Sequence, residues 1–219
     1  MVDVSVFADV DLLRTLPPEA LAQVAKAARR RTLQRGDVLF AEGDEAADLY
    51  VVEQGRLAIA NRSPDGRESV VALMEAGDLF GEMSLFDGQG RSAGARALEP
   101  SRVYEVPFAP LREVLQGRPE LLWGIVALLA QRLRTMDTTL ADAVFLDVTG
   151  RTAKRLLEMA GDADEFSLPI TQEELAGMVG ASRERVNKAI SSFIRLRWMD
   201  QRGRRYRILD RQQLARRAR

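Results

Sequence analysis

Between Phe80 and Arg96 the chain reads Phe-Gly-Glu-Met-Ser-Leu-Phe-Asp-Gly-Gln-Gly-Arg-Ser-Ala-Gly-Ala-Arg. A glycine, a carboxylate, a guanidinium and a hydroxyl fall close together there. Gly81 lets the backbone turn where a side chain would meet a ligand. Glu82 can accept a hydrogen bond from a sugar hydroxyl. Arg91 offers a planar fork of donors suited to the two free oxygens of a phosphodiester. Ser92 adds a hydroxyl and a backbone N–H beside that fork, and Met83 and Ala93 belong to the same candidate site. Such a set suits a small anionic ligand that also carries a hydroxyl, as a cyclic nucleotide does. The same residues equally describe a solvated Glu and Arg on either side of a Gly-rich hairpin.

A second constellation runs from Pro169 to Ile190 and reads as two helices joined by a tight turn. Thr171 with Glu174 forms a capping box that opens the first helix. Leu175, Met178 and Val179 face inward, Gly180 closes the helix, and Ser182 opens the next. Val186, Ala189, Ile190 and Phe193 give that second helix its apolar face. This is helix-turn-helix geometry, although two helices packed in any bundle show the same spacing. Arg183, Glu184, Asn187 and Lys188 then project from the outer face near its N-terminal end, where such helices reach base edges in the major groove. Arg183 can bond guanine O6 and N7 in parallel, and Glu184 can accept from cytosine N4. Thr171, Ser182 and Arg185 are placed for phosphates, which set register rather than sequence.

The elements that must position these groups follow from periodicity. Pro18 to Arg30 predicts a short amphipathic helix with Leu21, Val24, Ala25 and Ala28 on one face. From Arg31 to Val106, short apolar runs at 38–40, 49–52, 57–59, 70–73 and 103–106 alternate with Gly36, Gly43, Gly55, Gly66 and Gly77. That spacing predicts an all-β sandwich or barrel, with Pro64-Asp65-Gly66 at a hairpin tip. A short helical piece is expected at Leu111 to Leu115. After Pro119 a long helix runs to about Phe145, with Leu122, Val126, Leu129, Leu133, Met136, Leu140 and Ala143 at alternating spacings of four and three. That is a two-stranded coiled-coil seam, which predicts a homodimer. Asp147 or Thr149 caps a following helix, Arg151 to Ala160, and marks a hinge. Trp198 to Asp200 and Tyr206 to Leu209 flank Gly203 as a hairpin wing, with Arg202, Arg204 and Arg205 near backbone phosphates. The expected division is 1–118 for the barrel, 119–146 for the dimer helix and hinge, and 147–219 for the winged helix-turn-helix, an α+β chain.

Composition narrows the function classes. The chain has 219 residues, 32 basic and 32 acidic side chains, and neither cysteine nor histidine. Disulfides, thiolate-held zinc, iron–sulfur clusters and haem on His or Cys cannot be built, nor can a Cys–His or Ser–His–Asp catalytic set. No enzyme chemistry and no metal are therefore expected. The net charge is zero, yet Arg183 to Arg219 carries roughly ten more positive than negative side chains. Such asymmetry suits a partner that is an anionic polymer; a solvated basic tail is the plainer account, and the closing Arg-Arg-Ala-Arg reads as a solvated or phosphate-seeking tail. The N-terminal stretch, with its aspartates and no basic region, does not read as a signal peptide, and no apolar run reaches membrane-spanning length. A cytoplasmic protein that meets no membrane is expected.

Gly81-Glu82-x-x-Leu85 followed by Arg91-Ser92-Ala93 resembles the phosphate-binding cassette of cyclic-nucleotide-binding domains, most closely that of the bacterial CRP/FNR family. The resemblance runs from about Leu21 onward. It implies a jelly-roll barrel whose cassette lines the interior. It further implies that Glu82 takes the ribose 2′-hydroxyl of cAMP while Arg91 and Ser92 take the cyclic phosphate. Phe145 to Arg151 is similar to the family's hinge, and Ser182-Arg183-Glu184-x-Val186-x-Lys188 to its recognition helix. By that resemblance Arg183, Glu184 and Lys188 would read a palindromic TGTGA-like site in double-stranded DNA. Lys188 stands where an arginine is common, and lysine lacks the fork. The family's base-contacting pair on the dimer helix falls on Met136 and Asp137; Asp137 can accept from an exocyclic amine, and Thr138 or Thr139 can substitute if the register shifts. RNA polymerase is an implied partner, with the loop Gly161 to Phe166 as a family contact point. Two other readings fit the residues: a DNA-binding regulator that needs no cyclic nucleotide or uses a different effector, and a regulatory subunit that binds cyclic nucleotide without touching DNA.

Overall fold

The structure is a computed structural model that describes residues 5–8, 10, 12–64, 68–168 and 170–219. Asp65 and Gly66 of the expected hairpin tip lie outside the described residues. The chain forms two compact units, Met1–Leu133 and Arg134–Arg219.

In the first unit, α1 (Ser5–Ala8) and α2 (Pro18–Ala27) precede eight strands: β1 (Arg29–Leu33), β2 (Val38–Phe40), β3 (Asp48–Gln54), β4 (Leu57–Arg62), β5 (Glu68–Met74), β6 (Leu79–Phe80), β7 (Gly94–Ala97) and β8 (Ser101–Pro107). Helix α3 (Met83–Asp87) separates β6 from β7, and α4 (Phe108–Gly117) follows β8. The strands make two antiparallel four-stranded sheets, ordered β1-β8-β3-β6 and β2-β7-β4-β5. Side chains of a strand point alternately to its two faces, and β3 uses both. Tyr50 and Val52 join Leu33, Leu39, Leu57, Phe80, Ala95, Ala97 and Val103 in one core cluster. Leu49 and Val51 join the helical layer, with Val24, Leu111 and Ile125. The first sheet is thus buried on both faces, which explains why β3 reads as an unbroken apolar run rather than an alternating one.

The N-terminal segment contributes more core than its composition suggests. Phe7, Val10, Leu12, Leu13 and Leu16 are all buried, and the Phe7 ring lies 5.2 Å from Tyr104. The amphipathic helix ends at Ala27 and the chain turns directly into β1, whose pairing with β8 captures Arg29 and Arg30 as strand residues. Ladder hydrogen bonds there override the helical periodicity of the sequence.

Helix α5 (Leu122–Phe145) begins in the first unit and continues into the second. In its first turns Ile125 is buried with the helical layer. The stripe of Leu122, Val126, Leu129, Leu133, Met136 and Leu140 is exposed in the single chain.

The second unit continues with α6 (Val148–Ala160), β9 (Glu165–Ser167), α7 (Gln172–Val179), α8 (Arg183–Arg195), β10 (Met199–Arg202), β11 (Arg205–Ile208) and α9 (Arg211–Arg217). Asp147 caps α6 by accepting from the Gly150 N–H at 2.8 Å. The three short strands form one sheet ordered β10-β11-β9. Strand β9 occupies part of the segment read as a loop, because Phe166 pairs across from Tyr206 and the rings stack at 5.6 Å. Of the closing basic residues Arg216 and Arg219 are solvated as expected, but Arg217 is not. All three lie in or beside α9, where Leu214 is fully buried and Arg217 pairs with Asp147. Gly150 permits this approach, since a Cβ there would stand 3.0 Å from the Arg217 carbonyl oxygen. No helix among the described residues is long and apolar enough to cross a membrane.

Candidate functional site

The cassette is built at the end of β6. Phe80 is anchored opposite Tyr50 in the sheet, and the chain then reverses through Gly81 at φ +78°. A Cβ on Gly81 would stand 2.7 Å from Arg91 Nη1, so the glycine answers both to backbone conformation and to the closeness of that guanidinium. Glu82 follows as the N-cap of α3, which ends at the left-handed Gly88. The backbone of Arg91 is fixed by two bonds to the 43–44 turn: its N–H donates to Asp44 O at 2.9 Å, and its carbonyl accepts from Gly43 N–H at 2.8 Å.

Glu82 and Arg91 are buried, to 0% and 5% exposure, while Asp87 between them is exposed. Arg132 of α5 donates to Glu82 Oε1 and, at 2.6 Å, to the Leu79 carbonyl. Arg91 donates through Nη1 to Gly81 O and through Nη2 to Asp48 O, both at 2.8 Å. Its guanidinium lies 4.3 Å from the centroid of the Phe40 ring and 5.3 Å from that of Tyr50. Burial draws the Arg91 pKa below the ordinary arginine value, opposed by nearby Tyr50 and Asp48. Burial also raises the Tyr50 phenol, with Glu105 adding to the rise. Two buried polar atoms are left without partners, Glu82 Oε2 and Arg91 Nε. An orphaned buried polar group costs about 1–3 kcal/mol, so such a pair in one motif marks a place prepared for something else to bond. One atom is an acceptor and the other a cationic donor, as a hydroxyl beside a phosphate oxygen requires.

The other expected cassette residues are less committed. Ser92 and Met83 are exposed, with the Ser92 hydroxyl 3.6 Å from the Met83 sulfur, and Ala93 is buried. Asp137 and Thr138 are exposed on the part of α5 that belongs to the second unit, where the Thr138 hydroxyl donates to the Arg134 carbonyl at 3.0 Å. Arg132 was missed from sequence; Glu82 lies 50 positions upstream of it, and only the fold reveals the pairing.

In the second unit, Thr171 and Glu174 complete both halves of a capping box on α7. Gly180 ends α7 at φ +68°, and Ser182 caps α8 by accepting from the Arg185 N–H. Val186, Ala189, Ile190 and Phe193 are buried, which turns Arg183, Glu184, Arg185 and Lys188 outward into solvent. Asn187 is half-buried with an unpartnered Oδ1. Arg204 is exposed, yet its Nη2 reaches Leu168 O at 3.4 Å and Ile170 O at 3.5 Å. Thr171, Arg183 and Arg204 line one groove of about 420 Å³ with Gln172, Gln201 and Gly203. The start of α7, the start of α8 and the wing therefore share one groove, which Leu168, Ile170 and Tyr206 also line.

Comparison with known proteins agrees with both halves. Residues 30–118 match the cyclic nucleotide-binding domain, and residues 150–217 match the Crp-like helix-turn-helix domain. The chain is 38% identical over 221 residues to a CRP-like cAMP-activated global transcriptional regulator of Mycobacterium tuberculosis, covering 98% of this chain and 99% of the relative. It is 35% identical over 175 residues to the cAMP-activated global transcriptional regulator Vfr of Pseudomonas aeruginosa, covering 75% and 81%. In fold it is similar to FixK2 from Bradyrhizobium japonicum, at TM-score 0.78 and 23% identity over 86% of this chain and 96% of that one. With a cyclic nucleotide-binding domain ahead of a Crp-like helix-turn-helix, and with a relative alike over nearly its whole length, the chain belongs to the CRP/FNR family of DNA-binding transcription regulators.

Proposed function

We propose that this regulator is a cAMP-responsive homodimer that binds a palindromic, TGTGA-like site in double-stranded DNA and acts on RNA polymerase. The observation that carries the reading is the pair of orphaned buried atoms, Glu82 Oε2 and Arg91 Nε. Glu82 would accept from the ribose 2′-hydroxyl, while Arg91 and the Ser92 hydroxyl would donate to the cyclic phosphate. Arg132 pairs with the Glu82 carboxylate and aims it. Arg183, Glu184 and Lys188 would meet base edges, and Thr171, Ser182, Arg185 and Arg204 phosphates. The exposed stripe from Leu122 to Leu140 would bury against a second copy, so that two recognition helices enter successive major grooves about 34 Å apart. Effector binding then acts by favouring the DNA-competent population. The barrel of 1–118, the joining helix of 119–146 and the reading domain of 147–219 divide the work, in the cytoplasm where the DNA lies.

Titration calorimetry tests the cassette. The unaltered chain binds cAMP and Arg91→Leu does not; equal affinity in both would overturn the assignment. A second reading, a regulator with another effector or none, is favoured by one observation. Met136, where the family reads the base, is 67% exposed and apolar. Mobility shifts with and without cAMP separate the two, since the second predicts the same DNA affinity in both.

A further inference from the structure

The Arg91 guanidinium is buried with Asp48 and Asp44 near enough to favour its charge, yet in direct contact with neither carboxylate. No carboxylate among the described residues forms an ion pair with it, and its two hydrogen bonds both go to backbone carbonyls. What it has instead is aromatic. Phe40 comes from β2, Tyr50 from β3 and Phe80 from β6, three strands drawn from both sheets. Phe40 and Tyr50 stack at 5.5 Å with 30° between their planes, and Tyr50 and Phe80 at 5.4 Å with 22°. Phe40 and Phe80 are also only 6.1 Å apart, so the three rings form a cluster, and the Arg91 cation lies over two of them, 4.3 Å from the Phe40 centroid and 5.3 Å from that of Tyr50, inside the range over which a ring face attracts a cation.

We propose that Phe40 and Tyr50 are positioning residues for anion capture: their ring faces hold the Arg91 guanidinium charged and flat without neutralising it. A carboxylate in the same place would fix the guanidinium too, but it would compete with the ligand for the same donors. The ring quadrupole attracts the cation and accepts none of its in-plane N–H groups. Of the five donors, two are engaged by Gly81 O and Asp48 O, and Nε remains free. The nearby Glu82 does not cancel this charge, because it is paired with Arg132.

This inference deepens the cAMP reading and rests on it for the ligand, so the test has two arms. The first uses no nucleotide. In the side-chain N–H spectrum of the full-length protein, the Arg91 Nε–H resonance, assigned by its loss in Arg91→Leu, is displaced by the ring currents of its neighbours. Phe40→Leu moves it most of the way toward the ordinary arginine position, Tyr50 still acting on it, and Phe40→Tyr keeps it displaced. An undisplaced resonance in the unaltered protein overturns the proposal whether or not cAMP binds. The second arm is calorimetry with cAMP. Phe40→Leu weakens binding about tenfold, Phe40→Tyr leaves it within about twofold, and thermal melts of the ligand-free variants establish that both fold. The loss in Phe40→Leu is smaller when Arg91 has already been replaced by lysine, because the two residues act as one unit. Equal losses for Phe40→Leu and Phe40→Tyr, or full additivity with Arg91→Lys, would show packing alone and overturn the role. A displaced resonance with no cAMP binding by the unaltered protein supports the platform and removes cAMP as its ligand.

Discussion

The two arginines proposed to meet anions, Arg91 and Arg183, solve opposite problems. Arg91 is taken out of water, held by ring faces and backbone carbonyls. Arg183 stays in solvent at the start of α8, positioned by a capped helix rather than by contacts of its own. Buried charge interacts strongly and tolerates little change, because a lost partner leaves an unsolvated group behind. Exposed charge is screened, cheap to alter for folding, and informative only when a base edge meets it. On the proposed roles, a buried guanidinium suits affinity for a small ligand and an exposed one suits discrimination along a polymer.

Removing the partner of the buried carboxylate should produce the largest effect. Arg132→Leu leaves Glu82, whose side chain is 1% exposed, without its cation, and should lower the unfolding free energy of the first unit by about 3–5 kcal/mol in urea titrations. A loss under about 1 kcal/mol would mean that Glu82 is rehydrated and the contrast is false. At the exposed site, Arg183→Ala should cost roughly 1–3 kcal/mol in DNA binding and relax one base position. Folding stability should stay within about 0.5 kcal/mol. A loss uniform across operator sequences would make Arg183 a phosphate contact instead. Thr171→Ala should cost about 1 kcal/mol of second-unit stability through the lost cap, visible in thermal melts, with the first unit untouched. The smallest effect concerns pH. The Gly150 N–H, and then Arg217, hold the Asp147 carboxyl below the usual carboxylate range. Its contribution is present above the unfolded carboxylate value and lost as pH falls through the lower folded one. Asp147→Asn should flatten that part of the acid-stability curve of the second unit; an unchanged curve would show that the cap carries no pH dependence.

The two sites also differ in how far they could be read from sequence. Everything that positions Arg183 is local: a box between Thr171 and Glu174, Gly180 after α7, Ser182 before α8 and an apolar face at helical spacing. Local rules suffice there. The cassette motif was equally plain, but its supports were not. Arg132 lay among the polar positions of a helix read for its apolar seam. Phe40 and Tyr50 read as ordinary strand residues, and only the pairing of β3 with β6 and the turn at 43–44 bring them beneath Arg91. The N-terminal core residues went unread because Phe7 and Leu13 belong to pieces too short for any period to show. Arg217 looked like one more solvated cation, and it takes the missing side chain of Gly150, 67 positions earlier, to see why it docks.

That docking has a practical edge. Helix α9 packs against α6 with Leu214 buried, while Arg217 fastens the α6 cap at Asp147, so the reading domain is stitched shut close to the end of α5. A fragment trimmed between Asp210 and Arg211 would keep every residue assigned to DNA and still come unlaced at the opposite end.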